Sequence, residues 1–289
     1  MTSSHSSAGL LMKGCDTHVH VIGPRDKFPM VQGRHYTPGP ASVQELKAHL
    51  TTQGLGRAVI VQPSVYGTDN RCLLSAISDM GRQARGIAVL DAQISASELQ
   101  ELDAQGIRGI RLNFESSGNQ SVDQLKQALA DWAPRLEALG WHIQVYAPFS
   151  VTSACAPFIQ SLPVPVVLDH FGLWPANATD THEIKAILDL LEAGQIYIKL
   201  SANYRLPNFD KEKLKELAHR MLRIRPDRLL WASDWPHTNR EPGVDAHSVS
   251  RYRSIDATWL AQEREGWLET RAFADSVLIK NPNKLYRFV

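Results

Sequence analysis

Short apolar, β-branched segments alternate with longer amphipathic segments along the whole chain. Eight of the short segments predict strands. These are residues 14–20, 57–64, 84–90, 107–113, 141–147, 165–172, 196–203 and 229–236. Successive segments are spaced by about 20 to 45 residues, which leaves room for a helix in each gap, as a βα repeat requires. The pattern predicts an α/β protein with a single (β/α)8 barrel over residues 1–289, in which residues 1–12 form a flexible N-terminal segment.

Several of the intervening helices are visible in the sequence. Ser42 and Glu45 have the spacing of a capping box at a helix N-terminus. A second apolar stripe ends in Trp132, and Pro134 is predicted to interrupt that helix. Residues 211–222 predict a third helix. The alternative fold, a doubly wound open sheet, is disfavoured because no glycine-rich dinucleotide fingerprint follows any predicted strand.

Composition excludes several classes of function. The chain has 289 residues, of which 43% are hydrophobic and 21% charged, and its net charge is +1. This balance gives no electrostatic basis for binding nucleic acid or an anionic membrane. No apolar run reaches the roughly 18 residues of a membrane span, and the N-terminus lacks a secretory leader pattern. We therefore expect a cytoplasmic protein with a small-molecule substrate, and the sequence leaves its oligomeric state open.

Polar residues recur at the predicted C-terminal end of the strands, which is where active sites lie in this fold. They are His18 and His20 on the first strand, Ser64 on the second, Arg111 and Asn113 on the fourth, Tyr146 on the fifth, His170 on the sixth, Ser201 and Arg205 after the seventh, and Asp234 on the eighth. Any one of them could simply cap a loop. Their recurrence at the same strand ends favours a common site.

Four motifs, DTHVH, LDHFG, SDWPH and the closing NPNKLYRF, resemble those of the amidohydrolase superfamily. The finer segments IGPRDKFP, RHYTPGPAS, VQPSVYGTDN, RGIRLNF and IKLSANYR resemble its lactonase branch, which includes 2-pyrone-4,6-dicarboxylate lactonase. The resemblance implies a TIM-barrel hydrolase with four catalytic residues, His18, His20 and His170 around the scissile carbonyl and Asp234 as general base. It implies five substrate contacts, Tyr36, Ser64, Arg111, Tyr146 and Arg205.

The metal content of such a site is a separate question. A binuclear centre is disfavoured because the fourth strand offers Arg111, which cannot ligate a metal, and the fifth offers Gln144 or Tyr146 instead of an imidazole. The resemblance to lactonases favours no metal and no cofactor. The alternative is a single Zn²⁺ or Mn²⁺ ion bound by His18, His20, His170 and Asp234.

We therefore predict a hydrolase that opens a small anionic lactone, with Arg111 and Arg205 binding a substrate carboxylate. The resemblance implies further basic residues in the stretches 114–120 and 171–177, but both lack Arg and Lys. A monocarboxylic, sulfonated or sugar-acid lactone is thus an alternative substrate to the pyrone dicarboxylate, unless Arg240, Arg251 or Arg253 binds the second carboxylate. Two other classes stay open. One is a single-metal decarboxylase or hydrolase of the same superfamily, and the other is a non-catalytic binding barrel.

Overall fold

The computed structural model describes residues 13–116, 118–175, 181–206, 208 and 210–289. Its main sheet has eight parallel strands that follow one another in chain order. The strands are β1 (Cys15–Val19), β3 (Arg57–Val61), β4 (Ala84–Ala88), β5 (Ile107–Asn113), β6 (His142–Tyr146), β7 (Val166–Leu168), β8 (Ile196–Leu200) and β9 (Leu229–Trp231). Two short strands outside this sheet, β2 (Thr37–Pro38) and β10 (Val249–Ser250), pair in parallel with each other. The predicted (β/α)8 barrel is confirmed, and the predicted flexible segment 1–12 lies outside the described residues.

The barrel is closed by the residues that follow β9. Val19 forms a parallel bridge with Trp235, and the amide of His20 donates to the carbonyl oxygen of Trp235 at 2.8 Å. The amide of Asp234 donates to the carbonyl oxygen of His18 at 3.1 Å. These backbone bonds place the end of the first strand of the sheet beside the residues that follow the last strand, so the barrel closes at this rim.

Helices separate the successive strands of the main sheet along the chain, and the last three helices follow β9. They comprise Val43–Thr52, Arg71–Met80, Ala96–Ala104, Val122–Glu137, Phe149–Ala154, Ala156–Gln160, His182–Ala193, Lys211–Ile224, Ala257–Leu268, Arg271–Asp275 and Asn281–Tyr286. Ser42 and Glu45 form the predicted capping box at the first of them. No helix in the described part of the chain is long and apolar enough to cross a bilayer.

The interior of the barrel is divided along its axis. A cluster of buried apolar residues fills the N-terminal half, and it consists of Cys15, Val59, Val61, Ile87, Val167, Tyr197, Leu230, Leu285, Tyr286 and Phe288. The last three of these belong to the closing NPNKLYRF motif. The C-terminal segment therefore plugs the bottom of the barrel, and the polar side chains occupy the opposite end.

Two local expectations are wrong. Helix Val122–Glu137 continues through Pro134, because the burial of Trp132, Ala133 and Leu136 against the core offsets the missing backbone hydrogen bond. Several strands end earlier than predicted. His170 (φ 51°) and Asp234 (φ 62°) adopt left-handed backbone conformations, which interrupt the extended chain and turn these residues into the barrel mouth.

Candidate active site

The centre of the barrel mouth is a carboxylate oxygen surrounded by three imidazoles. Oδ1 of Asp234 lies 3.8 Å from Nε2 of His18, 3.8 Å from Nε2 of His20 and 3.9 Å from Nε2 of His170. All four residues are buried, and this oxygen has no hydrogen-bond partner among the described residues. Because a buried acceptor without a partner is costly, the arrangement indicates a position prepared for a ligand, a reacting water or an ion.

The other oxygen of Asp234 is fully engaged. Arg205 Nε donates to Oδ2 at 2.6 Å, and the hydroxyl of Tyr204 donates to it at 2.9 Å. Burial alone would raise the pKa of Asp234, but Arg205 and the neighbouring histidines hold it well below its usual range. Asp234 is therefore an ionised carboxylate with one oxygen fixed and the other free to react.

Each histidine is oriented through its second ring nitrogen. Nδ1 of His20 lies 2.8 Å from the carbonyl oxygen of Val61, and Nδ1 of His170 lies 2.9 Å from Oγ of Ser201. Burial lowers the pKa of His20 and that of His170 to about 4, and it lowers the pKa of His18 well below its ordinary value. The three rings are neutral at neutral pH.

A buried polar layer lies beneath these histidines. Nζ of Lys199 is 3.3 Å from Oδ1 of Asp169 and donates to Oε1 of Gln144 at 2.7 Å. Nε2 of Gln144 donates to Oδ2 of Asp169 at 3.0 Å. Burial alone would raise the pKa of Asp169, but Lys199 and His18 lower it well below its usual range. The layer is a buried ion pair supported by an amide, and it contacts the site through Nδ1 of His18.

Sequence reasoning missed three members of this site, Asp169, Lys199 and Tyr204. The one available signal was Lys199 in the apolar strand IYIKL, because an unpaired charge is rarely buried. Asp169 stood in the quoted motif LDHFG without a role. Tyr204 lies in a 3₁₀ turn, Asn203–Arg205, which the strand pattern did not predict.

The predicted substrate contacts lie around the same mouth. Ser64 and Arg111 line a cavity of about 230 Å³, together with Arg34 and His35. The guanidinium carbon of Arg111 is 5.5 Å from the centre of the Tyr146 ring, and that ring contacts His170 edge-on at 5.1 Å. These positions place Ser64, Arg111 and Tyr146 on one side of the histidine cluster.

Tyr36 and Arg205 both lie near Thr238. Burial raises the pKa of Tyr36, while its hydrogen bond to Thr238 and the charges of Arg205 and Arg111 oppose that rise. Nη2 of Arg205 donates to Oγ1 of Thr238 at 3.0 Å. The structure thus gives Arg205 two partners inside the protein, so its predicted role as a carboxylate ligand stays a prediction. Arg253 also points to Thr238, whereas Arg251 is exposed and paired with Glu241.

Three of the four central residues also fit a single metal ion. The ligand atoms of His18, His20 and Asp234 lie within 4.8 Å of one another, and a second, overlapping group consists of His18, Asp169 and His170. In a tetrahedral site with bonds of about 2.0–2.2 Å, ligand atoms are separated by roughly 3.3–3.6 Å. The observed separations of 3.3 Å between the Nε2 atoms of His18 and His20, and of 3.8–3.9 Å to Asp234, are close to that range. The donor set is therefore compatible with one Zn²⁺ or Mn²⁺.

Comparison with known proteins agrees with this fold. Residues 15–288 match the family model described as amidohydrolase. The chain is 35% identical over 286 residues to a 2-pyrone-4,6-dicarboxylate hydrolase of Comamonas testosteroni, in an alignment covering 94% of this chain and 89% of that protein. It is 32% identical over 229 residues to a 4-sulfomuconolactone hydrolase of Rhizobium radiobacter, with 77% and 75% covered. The chain belongs to the amidohydrolase family.

A solved structure extends the comparison. The crystal structure of a probable 2-pyrone-4,6-dicarboxylic acid hydrolase from Acinetobacter baumannii, with citric acid bound, superposes with a TM-score of 0.80 at 28% identity. The superposition covers 96% of this chain and 100% of that chain.

Proposed function

We propose that this protein is a hydrolase that opens a small, negatively charged lactone. The observation that carries the proposal is the unpartnered Oδ1 of Asp234, buried and faced by three imidazoles. A water molecule beside this oxygen can lose a proton to Asp234 while its own oxygen attacks the lactone carbonyl. The names of two relatives, the pyrone dicarboxylate hydrolase and the sulfomuconolactone hydrolase, support an anionic lactone as substrate.

The charge that develops in this reaction suits the site. Attack by water forms a tetrahedral intermediate whose oxyanion lies among His18, His20 and His170, and an imidazole N–H in a water-poor pocket stabilises it. When the intermediate collapses, the bond to the ring oxygen breaks and Asp234 returns the proton to that oxygen. The products are a carboxylic acid, which ionises by releasing its proton to solvent, and a ring-opened hydroxyl or enol, and Asp234 is ready for another cycle.

Arg111 is the proposed ligand for a substrate carboxylate, because it lines the cavity beside Ser64 and a guanidinium binds carboxylates through charge-assisted hydrogen bonds. Tyr146, Tyr36 and Arg205 complete the proposed binding surface. A second anionic group has basic partners in Arg34 and His35, which line the same cavity. Pyrone dicarboxylates and singly charged or sulfonated lactones are thus both candidate substrates.

We propose that hydrolysis needs no metal. If Zn²⁺ or Mn²⁺ binds, His18, His20, His170 and Asp234 would hold it, and the ion would polarise the carbonyl or acidify water. Against that stands the charge balance, since Lys199 already pairs with Asp169 and Arg205 with Asp234. A divalent cation would add to a site whose carboxylates are neutralised. A single-metal decarboxylase or hydrolase that uses the same four residues is the second candidate.

The proposal is tested with chelator-treated protein whose metal content has been measured. Incubation with 2-pyrone-4,6-dicarboxylate, 4-sulfomuconolactone and uncharged lactones should show loss of the ring and release of acid for the anionic lactones alone. Asp234→Asn should lower kcat by roughly 10²- to 10⁴-fold with little change in KM. Asp131→Asn, on an exposed helix surface, is the matched control. Release of CO₂ that requires added metal would instead support the decarboxylase.

A further inference from the structure

His18 stands between two partners that demand opposite protonation of the same atom. Its Nδ1 lies 3.2 Å from Oδ1 of Asp169 and 3.2 Å from Nζ of Lys199. A neutral imidazole carries one hydrogen. Nδ1 must therefore either donate to Asp169 or accept from Lys199. The choice decides whether Nε2, which faces the reacting centre, presents a hydrogen or a lone pair.

The hydrogen bonds around His20 indicate which ring nitrogen of His18 carries the hydrogen. The carbonyl oxygen of Val61 can only accept, so Nδ1 of His20 is the donor in their 2.8 Å contact. His20 is 4% exposed, and Oδ1 of Asp234 lies 3.8 Å from its Nε2, outside hydrogen-bond distance, so the ring is a neutral imidazole whose Nε2 carries a lone pair. Nε2 of His18 lies 3.3 Å from that nitrogen, and the contact is attractive only if His18 donates.

Because the one hydrogen of the His18 ring is then on Nε2, Nδ1 of His18 must accept a hydrogen bond. Lys199 is the only one of its two partners that can donate to it. Asp169 does not need His18, because Lys199 lies 3.3 Å from its Oδ1 and Gln144 donates to its Oδ2 at 3.0 Å. The orientation of the Gln144 amide agrees, since its oxygen accepts from Lys199 and leaves its nitrogen for Asp169.

We propose that Lys199 is a positioning residue that fixes the tautomer of His18, so that Nε2 carries its hydrogen towards the scissile carbonyl. This inference rests on the proposed lactone hydrolysis and deepens it. Of His18 and His20, His18 is then the oxyanion donor. His20 is the acceptor, and its lone pair orients the N–H of His18 or the attacking water.

The same hydrogen opposes metal binding. A histidine that ligates a metal must present a lone pair, and it usually donates its other N–H to a carboxylate or carbonyl. His18 would match that pattern only after its hydrogen moves to Nδ1, beside Asp169. Lys199 occupies that face and stabilises the other tautomer. Replacement of Lys199 should therefore raise the affinity of the four central residues for a metal ion.

The experiment measures the tautomer directly, by ¹⁵N NMR of the histidine rings in the intact protein. In the parent protein, Nδ1 of His18 should be unprotonated and Nε2 protonated. Lys199→Met should reverse this, whereas Asp169→Asn should leave it unchanged. Lys185→Met removes an exposed lysine and is the matched control. A reversal in Asp169→Asn with no change in Lys199→Met would overturn the proposal.

Zinc binding provides a readout that does not depend on turnover. Competition with a chromophoric chelator should show Zn²⁺ affinity at least about tenfold higher in Lys199→Met than in the parent, the scale of effects from residues that orient metal ligands. Metal-free kcat should fall by roughly 10²-fold with KM little changed.

The two hypotheses can fail separately. If Lys199→Met does not fold, the parent spectrum and the Asp169→Asn spectrum still decide the tautomer. A hydrogen on Nδ1 of His18 in an active lactonase would overturn the role of Lys199 alone. A protein that opens no lactone, yet shows the predicted spectrum and zinc response, would refute the proposed function and leave the tautomer assignment standing.

Discussion

Nε of Arg205 lies 2.6 Å from Oδ2 of Asp234, and Arg205 is thereby tied to the proposed general base. Its Nη2 is engaged by Thr238 as well. Arg111 lines a cavity beside Ser64, and its Nε lies 3.7 Å from Oδ2 of Asp169 and not beside the general base. The two arginines that the sequence grouped together as substrate ligands therefore differ in what they contact, and this difference can be measured.

Arg111→Met and Arg205→Met should have different kinetic effects on substrates of different charge. A charge-assisted contact contributes about 1.5–3 kcal/mol, so Arg111→Met should raise KM for a carboxylated lactone by roughly 10- to 150-fold and affect its methyl ester far less. Arg205→Met should lower kcat on both substrates, because it acts on Asp234. Arg251→Met removes an exposed guanidinium and is the control. Equal losses on acid and ester for Arg111→Met would mean that Arg111 binds no carboxylate.

The sequence predicted the barrel and the residues at its mouth because both follow from local patterns. The alternation that brings His18 and His20 to one face is visible in the five residues DTHVH, and Asp234 follows an apolar run. Lys199 was missed because its environment is created by distant parts of the chain. Asp169 and Gln144 come from other strands, and only closure of the barrel brings them together.

The contact between Arg205 and Asp234 was unpredictable for a similar reason. Arg205 follows its strand through the 3₁₀ turn Asn203–Arg205, and Ala202 before it adopts a left-handed conformation. The alternation of a strand does not predict where the side chain of a residue in such a turn points. Arg205 was predicted to be a substrate ligand because its segment resembles a family motif. Such a resemblance identifies a position in the chain, but it does not identify the partner of each guanidinium nitrogen.

Glu263 should make stability depend on pH. It is 5% exposed on helix Ala257–Leu268, its Oε1 accepts from Nδ2 of Asn203, and burial raises its pKa to about 7 from an ordinary 4.5. The folded state retains this proton while the unfolded state loses it. The stabilisation is thus complete below pH 4.5 and is lost as pH rises to about 7.

Glu263→Gln removes this titration while keeping the acceptor for Asn203. At pH 8 the variant should be more stable than the parent by up to about 3 kcal/mol, at about 1.4 kcal/mol per pKa unit. At pH 4.5 the two should be nearly equal. Chemical unfolding at both pH values measures the difference, with Glu265→Gln on the exposed side of the same helix as control. A gain of equal size at both pH values would contradict the prediction.

Gly109 should tolerate no side chain, because β5 and β6 are too close at this point. A Cβ on Gly109 would lie 2.7 Å from the backbone oxygen of His142 and 2.9 Å from Cε1 of its ring. The oxygen cannot move without disturbing the pairing of β5 with β6. Gly109→Ala should therefore destabilise the protein by about 1–3 kcal/mol. Arg111 lies two residues further along β5, so KM for an anionic lactone should rise as well.

Gly266→Ala is the matched control for this substitution. Gly266 lies in helix Ala257–Leu268, and a Cβ added there would have no heavy atom within 4 Å outside the local helix backbone. The same change should stabilise the protein by about 0.5–1 kcal/mol, since alanine favours the helix over glycine. Denaturant unfolding of both variants gives the comparison. A neutral Gly109→Ala would show that β5 and β6 can separate without cost, and the fixed position of Arg111 at the barrel mouth would then need another cause.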